Sequence, residues 1–303
     1  MSGKKRIEGH AEGGKFLKEN PRLSWLNQSD IRPYVFVRPE NRIHQPGELY
    51  SDFDWFPHEV LYKNPLEMDE VLFADRILNL EGQAFGPSGM AMPRWVFYDC
   101  AILPGFVAGF AHRTATLPQS LREVLKIDDD RDWTPLSLFI IIPTMSKEGE
   151  WVAHNLCSVN SLLPKSERFY GIGFLSKAFG LWYANVKTCC GMTQWMSPSI
   201  RLHAHYGDFE ILTSYTPVHS YAKTLTYRVK INPDMWPAFF TKAPQKGFAE
   251  RYSPAQFDVD PQSEESLKFL QKKLEKREGP FFLDGAETLV KPLDAALRVY
   301  RKK

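Results

Sequence analysis

Residues 162–175 read Leu-Leu-Pro-Lys-Ser-Glu-Arg-Phe-Tyr-Gly-Ile-Gly-Phe-Leu, and within them Arg168-x-x-Gly171-x-Gly173 is the pattern best suited to hold a ligand. An apolar strand runs into it and an apolar helix starts near Gly173. Glycines let backbone approach an oxyanion closely, and the N–H groups of such a loop point outward. The helix adds the positive end of its dipole. A diphosphate suits that arrangement. No Gly-Lys-Ser/Thr follows, which excludes a Walker A loop, and neither a third glycine nor an early βαβ unit supports a dinucleotide fingerprint. A plain tight turn is the other reading of Gly171-Ile-Gly173.

Two further clusters invite chemical readings. Asp128-Asp129-Asp130-Arg131-Asp132 could attract a metal, but its spacing is not that of an EF-hand, so a solvated loop is expected. The cysteines are Cys100, Cys157, Cys189 and Cys190, with no CxxC pair and no histidines at ligand spacing. Vicinal cysteines rarely bridge, so reduced thiols and a cytoplasmic setting are expected. His154 and Cys157 are three residues apart on a strand, which puts them on opposite faces and disfavours a Cys–His nucleophile.

The elements that must position these residues follow from periodicity and punctuation. Residues 31–39 alternate as a strand, and 40–63 read as a long ordered loop. Asn64-Pro65-Leu66-Glu67 predicts a helix start, with Leu66, Val71, Leu72, Ala74, Ile77, Leu78 and Leu80 on one face and a stop near Gly86-Pro87. Residues 94–103 and 105–116 predict a hairpin about Pro104-Gly105. Residues 117–133 hold a short polar helix and the acidic loop. A second hairpin is expected from 135–144 and 151–159, turning at 146–149. The helix from Gly173 should break at Gly191, with strands at 209–215 and 221–231 and an amphipathic helix over 263–277. The chain therefore divides into a polar leader (1–30), a main domain (31–231) with an insert at 117–133, and a C-terminal appendage (232–303).

Composition narrows the class. Hydrophobic residues make up 43% of 303, enough for a substantial core, and the aromatic share of 14% reads first as large core side chains. A net charge of +2 without a basic stripe gives no reason to expect nucleic acid. Residues 1–20 lack the apolar core of a signal peptide, and the apolar runs are too short to span a bilayer.

Arg168-Phe-Tyr-Gly-Ile-Gly173 resembles the diphosphate loop of the GNAT acyltransferases, Gln/Arg-x-x-Gly-x-Gly/Ala. Leu78-Asn-Leu-Glu81-Gly-Gln-Ala-Phe85 is similar to the end of that family's first helical region. Phe97-Tyr-Asp-Cys100 with Val107-Ala-Gly-Phe110 is similar to the hairpin before its central strand, and residues 199–209 to a segment near the domain's end. The resemblance covers about residues 31–231. It departs from the family in the long spacing before the loop, in the aromatics Phe169 and Tyr170, and in Tyr206 lying next to Gly207.

The resemblance implies an α+β fold, a mostly antiparallel twisted sheet flanked by helices. It implies an acyl-CoA-dependent N-acyltransferase with acetyl-CoA or another acyl-CoA as co-substrate, no metal, and a small-molecule amine or peptide as acceptor. The pantetheine arm would lie along Val159, Ser161 and Leu163. The diphosphate would sit on Arg168, Phe169, Tyr170, Gly171, Ile172, Gly173 and Phe174. Tyr206 would be the acid, and Glu81 or His154 the base. No membrane partner is implied, and exposed strand edges leave a homodimer open. Carrier-linked or long-chain donors, and a non-catalytic binding module, remain the other readings.

Overall fold

A computed structural model describes residues 19–43, 58–144, 146–243, 245 and 247–303. Residues 1–18 of the expected leader, and 44–57 of the expected loop, lie outside these. The fold is mixed α+β, with strands of predominantly antiparallel pairing flanked by helices. Its described residues divide into two compact units, those up to 144 with 153–185, and those of 146–152 with 186–303.

In the first unit the strands are β1 (Ile31–Phe36), β2 (Leu61–Lys63), β3 (Phe106–Arg113), β4 (Trp133–Pro135), β5 (Ser137–Pro143) and the later part of β6 (Glu150–Ser158). Their order is β2-β1-β3-β5-β6, with β4 on β3. β1 pairs with β3 antiparallel, Val35 opposite Ala108, and with β2 in parallel, Tyr34 opposite Leu61. Helix α1 (Val71–Phe85) covers one face, where Phe73 meets Tyr34 at 5.0 Å between ring centroids. Other helices of this unit are α2 (Gln119–Leu125) and α3 (Ile172–Tyr183). α3 packs on β3 and β5, with Tyr183 against Phe106 at 5.0 Å. Because both faces are covered, Tyr34, Val35 and Phe36 are all buried and the expected alternation of β1 is lost.

Three elements of this unit differ from the sequence reading. Residues 94–103 are not a strand: Arg94–Val96 and Phe97–Ile102 wind as helix, the latter with a wide turn in which Leu103 N–H donates to Tyr98 O. Phe97, Ala101 and Ile102 are the residues this turn buries, a helical spacing that a short apolar run conceals. The first regular helix begins at Val71 after a turn at Met68–Glu70, while Asn64 caps the preceding bend through Leu66 N–H. Its buried face is Phe73, Ala74, Arg76, Ile77, Leu80 and Glu81, leaving Leu66 and Val71 exposed. Part of the expected leader is also structured. Pro21–Asn27 forms a tight helical run that buries Leu23, Trp25 and Leu26.

The second unit orders its strands β7 (Thr188–Gln194), β9 (Thr224–Ile231), β8 (Gly207–Thr213), β11 (Phe281–Leu283), β12 (Leu297–Lys302) and β10 (Tyr252–Val259), all antiparallel. Gly191 is inside β7 rather than a break. It faces Tyr227 on β9, whose hydroxyl lies 2.5 Å from where a Cβ would stand, so a side chain here would collide with the ring. Residues 232–303 share this sheet, because β11 pairs directly with β8, Phe282 opposite Glu210. The amphipathic helix runs Glu264–Glu275, capped by the Ser263 hydroxyl on Ser266 N–H and burying Leu267 and Leu270. Among the described residues, no helix is long and apolar enough to cross a membrane.

Candidate active site

β6 ends at Ser158, and Val159–Ser161 then coils into a helical turn. This changes the expected pantetheine contacts. Val159 N–H donates to Leu136 O, Val159 O receives Leu162 N–H and Leu163 N–H, and Ser161 Oγ donates to Ser158 O. A backbone engaged in its own turn has few groups left for a ligand amide at Val159, Ser161 or Leu163.

The turn does carry the residue that shapes the next loop. Asn160 grips the Phe169 peptide from both sides: its Nδ2 donates to Phe169 O at 2.8 Å, and its Oδ1 accepts Phe169 N–H at 2.9 Å. Arg168 Nε donates to Leu163 O at 3.0 Å, which fixes the guanidinium stem while its terminal nitrogens make no hydrogen bond among the described residues. Gly171 then takes φ 74°, the left-handed region that glycine enters without strain, and α3 starts at Ile172.

The seven expected loop contacts therefore separate. Phe169 N–H is committed to Asn160 and Ile172 N–H to Phe169 O, so neither is a free donor. Tyr170 offers its carbonyl to Trp25, and Phe174 is a core side chain. Among the described residues, the N–H groups of Arg168, Gly171 and Gly173 have no hydrogen-bond partner. Three unpaired donors at the start of a twelve-residue helix, beside an exposed guanidinium, form a cradle suited to a diphosphate.

Glu81 and His154 are brought together through a residue the sequence reading passed over. Glu81 Oε1 accepts Asn155 Nδ2 at 2.8 Å and Oε2 accepts Met92 N–H at 2.9 Å. With Asn155 Nδ2 turned to the carboxylate, its Oδ1 faces His154 Nδ1 at 3.2 Å. That contact sets the tautomer: Nδ1 carries the proton and Nε2 keeps its lone pair. Glu81 is 1% exposed, and burial raises its pKa against the two N–H donors that lower it. A carboxylate so enclosed and engaged holds Asn155 in place and does not itself meet an acceptor. His154 is exposed on β6, and desolvation of its ring lowers its pKa, opposed by the Asn155 contact. It is a neutral imidazole at neutral pH. Cys157 shares the Asn155 face, and burial with the nearby Glu81 charge pushes its thiol far above the ordinary range.

Tyr206 belongs to the core of the second unit. It is 0% exposed and packs edge-on to Trp236 at 6.0 Å, with a hydroxyl pKa raised by burial, Tyr227 and Cys189. Its phenol is enclosed as a core side chain, which sets it apart from the residues the proposed mechanism uses. The signal for His154-Asn155 was adjacency on a strand, but Asn155 finds its partner 74 residues away, beyond any local pattern.

No family model matches the chain, and no curated protein matches it. Solved structures similar to it include a Lactobacillus plantarum protein assigned as an N-acetyltransferase, at 12% identity and TM-score 0.34, covering 52% of this chain and 92% of that one. A chain of the NatC complex bound to Gag peptide and CoA aligns at 10% identity and TM-score 0.36, covering 55% and 96%. Nourseothricin acetyltransferase aligns at 9% identity and TM-score 0.29, covering 43% and 67%. These overlays are partial, and the site chemistry rests on this chain's own residues.

Proposed function

We propose that this chain is an acyl-CoA-dependent N-acyltransferase, with the Arg168–Gly173 loop as the coenzyme diphosphate site and His154 as the proton acceptor. The observation that carries the proposal is the set of unpaired N–H groups on Arg168, Gly171 and Gly173 at the start of α3. Backbone donors held in shape by Asn160 and left without partners are pre-organised for an anion.

The chemistry needs a base for the attacking amine and a proton for the departing thiolate. His154 Nε2 removes the amine proton as the N–C bond forms, and the imidazolium returns a proton to sulfur as the C–S bond breaks. Asn155 keeps the ring in the right tautomer, and Glu81 keeps Asn155 in place. The acceptor is an amine, either a small molecule or a peptide.

The test is thermal shift and calorimetry with acetyl-CoA, CoA and a longer acyl-CoA, followed by thiol release in the presence of an amine panel. Saturating ligand should raise the melting temperature by mass action. No shift with any of the three overturns the reading, and a shift with the long chain alone moves the donor to a fatty acyl group.

A further inference from the structure

The segment Pro21–Asn27 is tied to the glycine loop by contacts that its own fold does not require. Trp25, 5% exposed, donates from Nε1 to Tyr170 O at 3.0 Å across 145 residues of sequence. Its ring meets Phe169 edge-on at 5.8 Å and Phe110 at 5.1 Å. One side chain thus holds the two residues that lead into Gly171. Three residues earlier, the exposed Arg22 lays its guanidinium over the Tyr170 ring, 3.6 Å from the centroid. Among the described residues Arg22 forms no ion pair, and its side-chain N–H groups make no hydrogen bond. Asn20 caps the segment through Arg22 N–H, with Pro21 at its first position, so the backbone that presents Arg22 is itself fixed.

We infer that Pro21–Asn27 completes the anion site, with Trp25 as a positioning residue for the loop and Arg22 as a second cation beside Arg168. A guanidinium held over the face of an aromatic ring leaves N–H groups available to an anion. Tyr170 is the chain neighbour of Gly171, so Arg22 is held on the side chain of the residue that precedes the first unpaired glycine amide. The ligand chemistry is a diphosphate ester. This inference rests on the acyl-CoA reading and adds to it a contact from outside the loop.

The test is calorimetric titration of CoA into wild type, Arg22→Ala and Trp25→Phe at two salt concentrations. Arg22→Ala should bind CoA about tenfold more weakly, the scale of one lost charge-assisted hydrogen bond. Its salt dependence should be flatter, with an unchanged melting temperature because the side chain is exposed. Trp25→Phe keeps the ring contacts and loses the bond to Tyr170, and should weaken CoA binding several-fold with the salt dependence of wild type. Wild-type affinity and salt dependence in Arg22→Ala overturn the inference alone, as does a loss of affinity with an unchanged salt slope. Absence of CoA binding by the wild type overturns the acyltransferase reading, and this inference with it.

Discussion

Two loops in the first unit carry unusual polar character, and they differ in what remains unpaired. In the acidic loop at residues 128–132, Asp129, Asp130 and Asp132 are each paired with a cation of the fold, and Asp132 Oδ2 is buried without a hydrogen-bond partner among the described residues. Asp129 takes Arg76 at 2.8 Å, Asp130 pairs with Arg122, and Asp132 takes Lys63 at 2.6 Å. Arg76, 4% exposed on α1, also donates to Thr114 Oγ1, Arg131 O and Trp133 O. The glycine loop is held just as firmly, by Asn160, Trp25 and Arg168, yet its restraints leave three N–H groups without partners. Charge density therefore marks a structural clasp in one case, while unmet donors on a constrained backbone are the feature on which the proposed diphosphate site rests in the other.

The sharpest way to break this contrast is at Arg76. Arg76→Ala removes the buried guanidinium from Asp129, Thr114 Oγ1, Arg131 O and Trp133 O at once and should cost about 4 kcal/mol in urea unfolding. CoA should still bind below the transition. Burial alone would raise the Asp129 pKa, but Arg131 N–H and the Arg76 charge outweigh it, so the folded value is depressed. Its contribution is then complete at neutral pH and is lost as pH falls through that depressed value. Asp129→Asn should flatten the acid limb of the stability curve.

Gly171→Val strikes the other loop. A β-branched residue at φ 74° costs about 1–3 kcal/mol of strain, and CoA affinity should fall about a hundredfold by calorimetry. His154→Gln should lower kcat about a hundredfold with little change in coenzyme KM. In the wild type, kcat/KM for a weakly basic amine should rise with pH through a midpoint below that of an ordinary histidine, then level. The Asn155 contact favours the imidazolium, so Asn155→Ala should move that midpoint lower still. Asp130→Asn is the mildest change. Asp130 is exposed, and losing its pair with Arg122 should cost less than about 1 kcal/mol.

The contrast was half legible in the sequence. The β5–β6 hairpin, the strand-to-helix setting of Gly171 and the capped helix from Ser263 declare themselves through local patterns of period, glycine and cap. What stayed hidden depends on distant partners. Asn155 and Asn160 are ordinary polar residues until Glu81 and Phe169 arrive, and Gly191 resembles a break until Tyr227 covers it. Residues 94–102 failed for another reason, since a short apolar run supports helix and strand equally. Glu81 and Tyr206 carried the right chemistry by type, and their burial is a matter of distant packing that no local pattern displays.

The central claim is that particular backbone donors receive the diphosphate, and amide NMR of the ¹⁵N-labelled protein reads them one by one. On adding CoA, the Gly171 and Gly173 resonances should move most, while Phe169, already bonded to Asn160, should move little. Pantetheine, which lacks phosphate, should leave all three in place. Large shifts elsewhere with Gly171 and Gly173 unmoved would contradict the account.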